Sequence, residues 1–254
     1  MAWQMSTKRG HVLITGAVGG LGTAMTQRLL GEGHDIVACD RVADTVSDWL
    51  QKLPATDRDR VQFHPLDVAK EELVSAFADK LRGQGLTIAY LVNNAGIHGA
   101  GGPANTESRI WERTLRVNLH GTYYLTRAFS QSMKDRGFGR IVNLASLSAY
   151  HPLGEQAPYA AAKAAITGYT RSAALDLSRY GVTVNAIAPG LILHDGLKVV
   201  FSDDDLKRMA KDIPVGRAGK PEEIAATVAF LLSDDAAFIT GQTIHVNGGS
   251  YLPG

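Results

Sequence analysis

The sequence predicts an α/β fold: a doubly wound parallel sheet of about seven strands, in a single domain. Three observations predict it. Short apolar, β-branched runs alternate with segments of helical period from His11 to Val246. A glycine-rich turn joins the first of those runs to the first helix, the context in which such a turn carries meaning. No repeat, linker or low-complexity segment breaks the alternation.

A chain of 254 residues is long enough for a well-buried core, and 45% hydrophobic with 20% charged residues is an ordinary globular composition. Lys+Arg of 26 against Asp+Glu of 25 leaves no charge excess for nucleic acid or an anionic membrane surface, and neither is expected as a partner. The single cysteine, Cys39, excludes an intrachain disulfide and suits a reducing compartment. The opening MAWQMSTKRG has no apolar core of signal-peptide length, and residues 1 to 9 read as a tail. With no apolar run of transmembrane length, the expectation is a cytoplasmic enzyme acting on a small molecule.

His11 to Thr15 (HVLIT) reads as the first buried strand. Gly16-Ala17-Val18-Gly19-Gly20-Leu21-Gly22 follows, then a helical pattern from Thr23 to Gly31. Glycines let the backbone turn tightly and approach a phosphate, and a helix N-terminus offers free N–H groups and a positive dipole end. Gly16, Gly20, Leu21 and Gly22 are therefore candidate cofactor contacts. The second strand, His34 to Cys39, ends in Asp40, about 20 residues past the turn, where a carboxylate can accept hydrogen bonds from an adenosine ribose. Asp40 would repel a 2′-phosphate. Arg41 could bind one, or lie solvated over the adenine, but Val18 and Gly19 supply no second cation. NAD is favoured over NADP.

Arg60 to His64 is a third strand, followed by Asp67 and Val68; helical spacing returns from Lys70 to Leu81. Ile88 to Val92 is the fourth strand, with Asn93-Asn94-Ala95-Gly96 after it. Small residues and amides there suit close approach to a ligand, and equally suit an ordinary turn. Gly99 to Pro103 borders the site, and two helices near Glu107–Val117 and Gly121–Arg136 lead onward. Asn118, between them, reads on its own as a local helix break.

Arg140 to Ala145 is the fifth strand, closed by Ser146. A loop with Pro152, Gly154 and Pro158 leads to an alanine-rich helix opening near Tyr159 and running to about Tyr180. Tyr159 and Lys163 are four apart and share one helix face. A tyrosine titrates near pH ~10, and a neighbouring ammonium favours its phenolate; a drop of about three units needs roughly 4 kcal/mol. One Tyr-x-x-x-Lys among eight tyrosines could arise by chance, so Ser146 and the glycine turn carry the weight. Val182 to Ala188 is the sixth strand, broken by Pro189-Gly190. Lys198 to Asp212 is amphipathic, with a lid expected over residues ~194 to 215. Pro221 to Leu232 is a helix with proline at its first turn, and Gln242 to Val246 is the last strand.

These residues together resemble the short-chain dehydrogenase/reductase family, whose domain is the Rossmann fold. The matching elements stand in order: Thr15-Gly16-x-x-x-Gly20-x-Gly22, Asp67-Val68, Asn93-Asn94-Ala95-Gly96, Asn118, Ser146, Tyr159-x-x-x-Lys163, Pro189-Gly190 and Gly241-Gln-x-x-x-Val246-Asn-Gly-Gly249. Each is loose alone; their joint order covers nearly the whole chain. The resemblance implies that Tyr159 is the acid/base, that Ser146 bonds the substrate oxygen, and that Lys163 tunes the tyrosine and holds the nicotinamide ribose. It implies that Asn118 kinks its helix and anchors a water relay to Lys163, which displaces the plain structural reading. It places Asp67 and Val68 at the adenine, Asn94 at the adjoining ribose and Ile192 at the carboxamide, and it implies a homotetramer built on the two long helices. Three positions depart from the family pattern: His194 stands where a threonine is common, Gly19 where NADP-dependent members carry a base, and Ala145 where a serine often precedes the catalytic one.

The loops after Asn94 and Gly190, and between Ser146 and Tyr159, should wall the substrate pocket; they supply His98, His151, Glu155, Gln156 and His194. Polar walls predict a sugar, polyol or hydroxylated ring. The histidines lie on separate loops without ligand spacing, so no metal is expected. The nearest rival is a 3-oxoacyl-carrier-protein reductase. Where such enzymes carry docking arginines this chain has Gly137 and Tyr180, with Arg136 and Arg179 adjacent. A rival of another class is a catalytically silent NAD-binding scaffold or sensor.

Overall fold

The apolar runs hydrogen-bond side by side in a computed structural model that describes residues 10–41, 44–197 and 201–253. The expected tail, residues 1 to 9, lies outside the described residues, as do 198 to 200 of the expected lid. Seven strands, β1 (His11–Thr15), β2 (Ile36–Asp40), β3 (Val61–Pro65), β4 (Ile88–Asn93), β5 (Gly139–Leu144), β6 (Val182–Pro189) and β7 (Thr243–Val246), form one sheet in the order β3-β2-β1-β4-β5-β6-β7. Every pairing is parallel. A parallel sheet needs crossovers on its faces, and these bury both sides of each strand. In β1, Val12 and Ile14 enter one core while Leu13 enters the other; β2 sends Ile36 and Ala38 one way and Val37 and Cys39 the other.

Eight α-helices accompany the strands among the described residues: α1 (Gly20–Gly31), α2 (Val46–Gln51), α3 (Glu71–Gly83), α4 (Ser108–Leu115), α5 (Gly121–Arg136), α6 (Ala157–Leu177), α7 (Asp203–Lys211) and α8 (Pro221–Leu232). α1, α2 and α8 fill one core with Met25, Leu29, Trp49, Ile224 and Val228. α3, α5 and α6 fill the other with Val74, Phe77, Leu125, Phe129 and Ala174. Gly137, at φ 66°, stops α5 in the left-handed conformation that glycine adopts without strain. α2 is the one α-helix that the periodicity does not announce, and it holds Trp49 at 1% exposure against that core.

The strands wind outward in two directions from the β1–β4 seam, and ligands in such sheets bind at the carboxyl ends beside that seam. Asn93 belongs to β4 rather than to the turn after it. Its side chain is buried, with Nδ2 donating to Asn143 Oδ1 at 2.8 Å and to Thr126 Oγ1 at 3.2 Å.

Candidate active site

At the carboxyl end of β1 the chain turns through Gly16, at φ 63°, into α1. A Cβ on Gly22 would lie 2.1 Å from Gly16 O, so only glycine lets the helix sit this close to the turn. The first-turn N–H groups of Gly20, Leu21 and Gly22 have no intrahelical acceptor by position, and no side chain caps them. Asp40 holds the turn from the next strand: Val18 N–H donates to Asp40 Oδ2 at 3.2 Å, and Arg41 N–H to Asp40 Oδ1 at 2.7 Å. The Arg41 side chain is exposed. Asn94 closes the other side, with Nδ2 donating to Thr15 O at 2.9 Å and Gly16 O at 3.0 Å. Asp67 Oδ1 accepts from Ala69 N–H at 3.1 Å, and Val68 is buried.

Ser146 follows β5, and its Oγ accepts the N–H of Ser148 at 3.1 Å. Tyr159 lies in the first turn of α6 and is hydrogen-bonded through its side chain to Ser146. One turn on, Lys163 is buried at 4% exposure; its Nζ donates to Leu144 O at 2.7 Å and stands 5.6 Å from the Tyr159 ring centre. Burial pushes Lys163 down to about 8. It also pushes the Tyr159 phenol up, against the Ser146 hydrogen bond that pulls it down. The direction is opposite to the lowering expected from a neighbouring ammonium. Desolvation outweighs a cation that is itself desolvated and held on a carbonyl.

Asn118 lies within a π-helical turn, Arg116–His120, between α4 and α5. Its Nδ2 donates to Thr114 O and to Ile97 O, both at 2.9 Å, which ties the helix to the loop after β4. Its Oδ1 is buried without a partner among the described residues. A Cβ on Gly96 would sit 2.7 Å from that oxygen and 3.4 Å from Lys163 Nζ, so the two groups border one small space.

The polar residues expected to wall the pocket separate. The His98 ring stands 5.2 Å from the Tyr159 ring. Gln156 is buried, and its Oε1 accepts from Ser148 Oγ at 3.1 Å, so it braces the loop that carries Ser146. His151 is exposed. His194 packs on the glycine turn, where a Cβ on Gly20 would meet its Cβ at 2.6 Å. Ile192 is buried beside Gly219. Glu155, at φ 57°, accepts the Gly101 N–H on its carbonyl at 2.9 Å and Asn105 Nδ2 on its carboxylate at 3.0 Å. Two loops at the cleft mouth are thereby joined.

A family model described as Enoyl-(Acyl carrier protein) reductase matches residues 16–251. The 3-oxoacyl-[acyl-carrier-protein] reductase of Escherichia coli is 35% identical over 94% of this chain and 96% of that protein. The chain belongs to the short-chain dehydrogenase/reductase family. Among other relatives of this dehydrogenase/reductase chain, the BbsD subunit of the (2S)-[(R)-hydroxy(phenyl)methyl]succinyl-CoA dehydrogenase of Thauera aromatica is 36% identical over 98% of this chain and 99% of that protein. A structure from Agrobacterium tumefaciens, assigned provisionally as a gluconate dehydrogenase, superposes with a TM-score of 0.90 at 31% identity, covering 95% of each chain. ElxO with NADP bound superposes at 0.89 with 26% identity, covering 95% of this chain and 98% of that one. Short-chain dehydrogenase/reductases are oxidoreductases that bind a nicotinamide cofactor and act on CH–OH or keto groups.

Proposed function

We propose that this chain transfers hydride between a polar secondary alcohol or ketone and a nicotinamide cofactor, NAD in preference to NADP, with Tyr159 as the acid/base. One observation carries the reading: the Tyr159 phenol is bonded to Ser146 with Lys163 one helical turn away, at the same carboxyl edge of the sheet as the glycine turn. The nicotinamide, when bound, accepts or supplies the hydride. Gly16, Gly20, Leu21 and Gly22 would hold the diphosphate on backbone N–H groups. Asp40 would hold the adenosine ribose, Asp67 and Val68 would flank the adenine, Asn94 the adjoining ribose, and Ile192 the carboxamide. The close approach at Gly22 and the unpartnered Asn118 Oδ1 fit such a group and an ordered water.

In oxidation Tyr159, once it has lost its own proton by way of Lys163, would take the substrate hydroxyl proton on Oη as hydride leaves the carbon that bears that oxygen for the nicotinamide. Ser146 holds the oxygen whose charge changes, and Lys163 and Asn118 return the proton to solvent. Tyr159→Phe should lower kcat by at least ~10³-fold while calorimetry still finds cofactor bound within about threefold of wild type. Unchanged turnover would remove the tyrosine from the mechanism. Retained binding with no turnover in the wild-type chain would favour a silent cofactor-binding protein.

The resemblance to a 3-oxoacyl thioester reductase supports a second reading. Arg179 stacks 4.9 Å from the Tyr180 ring, Lys134 stands 4.5 Å over it, and Arg136 Nη2 donates to Ile88 O at 2.7 Å. These cations gather at the amino ends of β4 to β6. A strand of six residues separates them from Ser146, roughly 20 Å. A carrier seated there would not face Tyr159 of the same chain, so the polar-substrate reading is preferred. Faster turnover of acetoacetyl thioesters with NADPH than of any polyol or sugar with NAD would reverse that preference. Tyr123 and Leu175, exposed on α5 and α6, support assembly through those helices into the family's tetramer.

A further inference from the structure

Beside the reacting tyrosine lies a cavity of about 290 Å³, between the loop after β4 and α4. Ile97, His98, Arg109, Ile110, Arg113 and Thr114 line it. Its size is at the small end of small-molecule sites. Arg109 and Arg113 are four apart on α4, so both guanidinium groups lie on one face of the helix. Glu107 occupies Arg109, with Nε to Oε2 at 2.6 Å and Nη2 to Oε1 at 3.3 Å. The Arg113 guanidinium makes neither a hydrogen bond nor an ion pair with the described residues, and the exposed side chain lines the cavity. The Thr114 hydroxyl is spent on Ile110 O at 2.7 Å, so it does not compete for a ligand. His98 is shared between the two spaces: it lines the cavity, and its ring is 5.2 Å from Tyr159.

We propose that this cavity is an anion subsite of the substrate pocket, in which Arg113 and His98 hold a carboxylate while Tyr159 acts on a hydroxyl-bearing carbon across the His98 ring. The substrate is then a hydroxy acid, oxidised to the corresponding keto acid. Ile97 and Ile110 give the cavity a half-buried apolar wall, while Arg113 and His98 are exposed and reach it from its solvent side, so the pairing is a charge-assisted contact in partial solvent. A planar, forked donor suits a carboxylate better than a neutral hydroxyl. The inference rests on the reading of Tyr159 given above and narrows its substrate class.

The test offers the full chain with NAD a set of secondary hydroxy acids of roughly three to six carbons, each beside its neutral amide or alditol, at fixed ionic strength. It uses wild type, Arg113→Gln and Arg113→Lys. In wild type kcat/KM for the acids should exceed that for their neutral partners by roughly tenfold or more. Arg113→Gln should collapse that ratio through KM rather than kcat, and Arg113→Lys should restore part of it. Neutral partners turned over as well as the acids, or an equal loss on both in Arg113→Gln, would overturn the proposal. The same compounds in a thermal-shift assay separate the two claims. Acids that stabilise wild type but not Arg113→Gln, without any turnover, would keep the subsite and sink the oxidoreductase reading. Turnover without acid preference would sink the subsite alone.

Discussion

Lys163 shows what the site costs at the scale of one residue. It is buried at 4% exposure with one carbonyl partner, and its pKa falls from 10.5 to about 8. The folded chain therefore binds this proton less readily than the unfolded one, so the group destabilises the fold wherever it must be charged. That penalty is fully present below about 8, and it is relieved as pH rises from there towards 10.5. At ~1.4 kcal/mol per unit its ceiling is on the order of 3 kcal/mol. Lys163→Met, which keeps the chain length and loses the bond to Leu144 O, should raise stability at neutral pH by ~1–2 kcal/mol and abolish turnover. Urea titrations at neutral pH and near pH ~10 check it. The gain should shrink at the higher pH; a gain that does not shrink would show that packing, not charge, is its source. His98 and His194 are also lowered by desolvation, in each case by the walls they pack on.

At the scale of elements, buried amides join the helices of one face to the middle of the sheet. Thr126 of α5, Asn93 of β4, Asn143 of β5 and Thr170 of α6 form one chain of hydrogen bonds, with Asn143 Nδ2 donating to Thr170 Oγ1 at 2.9 Å. All four are 3% exposed or less. Asn143→Ala strands the amide of Asn93 and the hydroxyl of Thr170, and should cost ~2–4 kcal/mol by urea unfolding. A double-mutant cycle with Thr170→Val should recover ~1 kcal/mol or more as coupling. Simple additivity would mean the bond is replaced by water.

Such pairings mark where the sequence stops being legible. α8 is readable to the residue because Pro221 starts it, two glutamates follow in its first turn, and a largely apolar stretch fills the rest. β1 is bounded by Gly10 and Gly16, both at positive φ. The glycine turn, Ser146, Tyr159 and Lys163 can be ordered from spacing, because each sits at the end of a readable element. Asn93 reads as part of a turn because its partner, Asn143, is 50 residues away. Gln156 reads as a pocket wall because nothing local says that it faces Ser148. Arg109 and Arg113 draw no reading from the helical pattern near Glu107–Val117, because only the folded loop after β4 brings His98 to the same cavity.

For the whole molecule, the decisive feature is that the two halves of the sheet part at β1 and β4, with the glycine turn on one side and Asn94 on the other. A ligand seated there touches both halves, so its binding energy adds to the stability of the entire domain. At a hundredfold excess over Kd that amounts to ~2.7 kcal/mol, or roughly 5–10 °C in Tm for a chain of this size. NADH should produce a shift of this order, and NADPH a smaller one at equal concentration, because the residue proposed to receive the ribose, Asp40, is a carboxylate whose oxygens accept the Val18 and Arg41 N–H groups. Asp40→Asn keeps an acceptor for the turn while removing the charge. It should narrow the difference between the cofactors by on the order of tenfold in Kd, about 1.4 kcal/mol. Exposed Arg41 can then meet a 2′-phosphate without a carboxylate beside it. Equal shifts with the two cofactors in the wild-type chain would refute the NAD preference, and a ratio that ignores Asp40→Asn would move the discrimination to another residue.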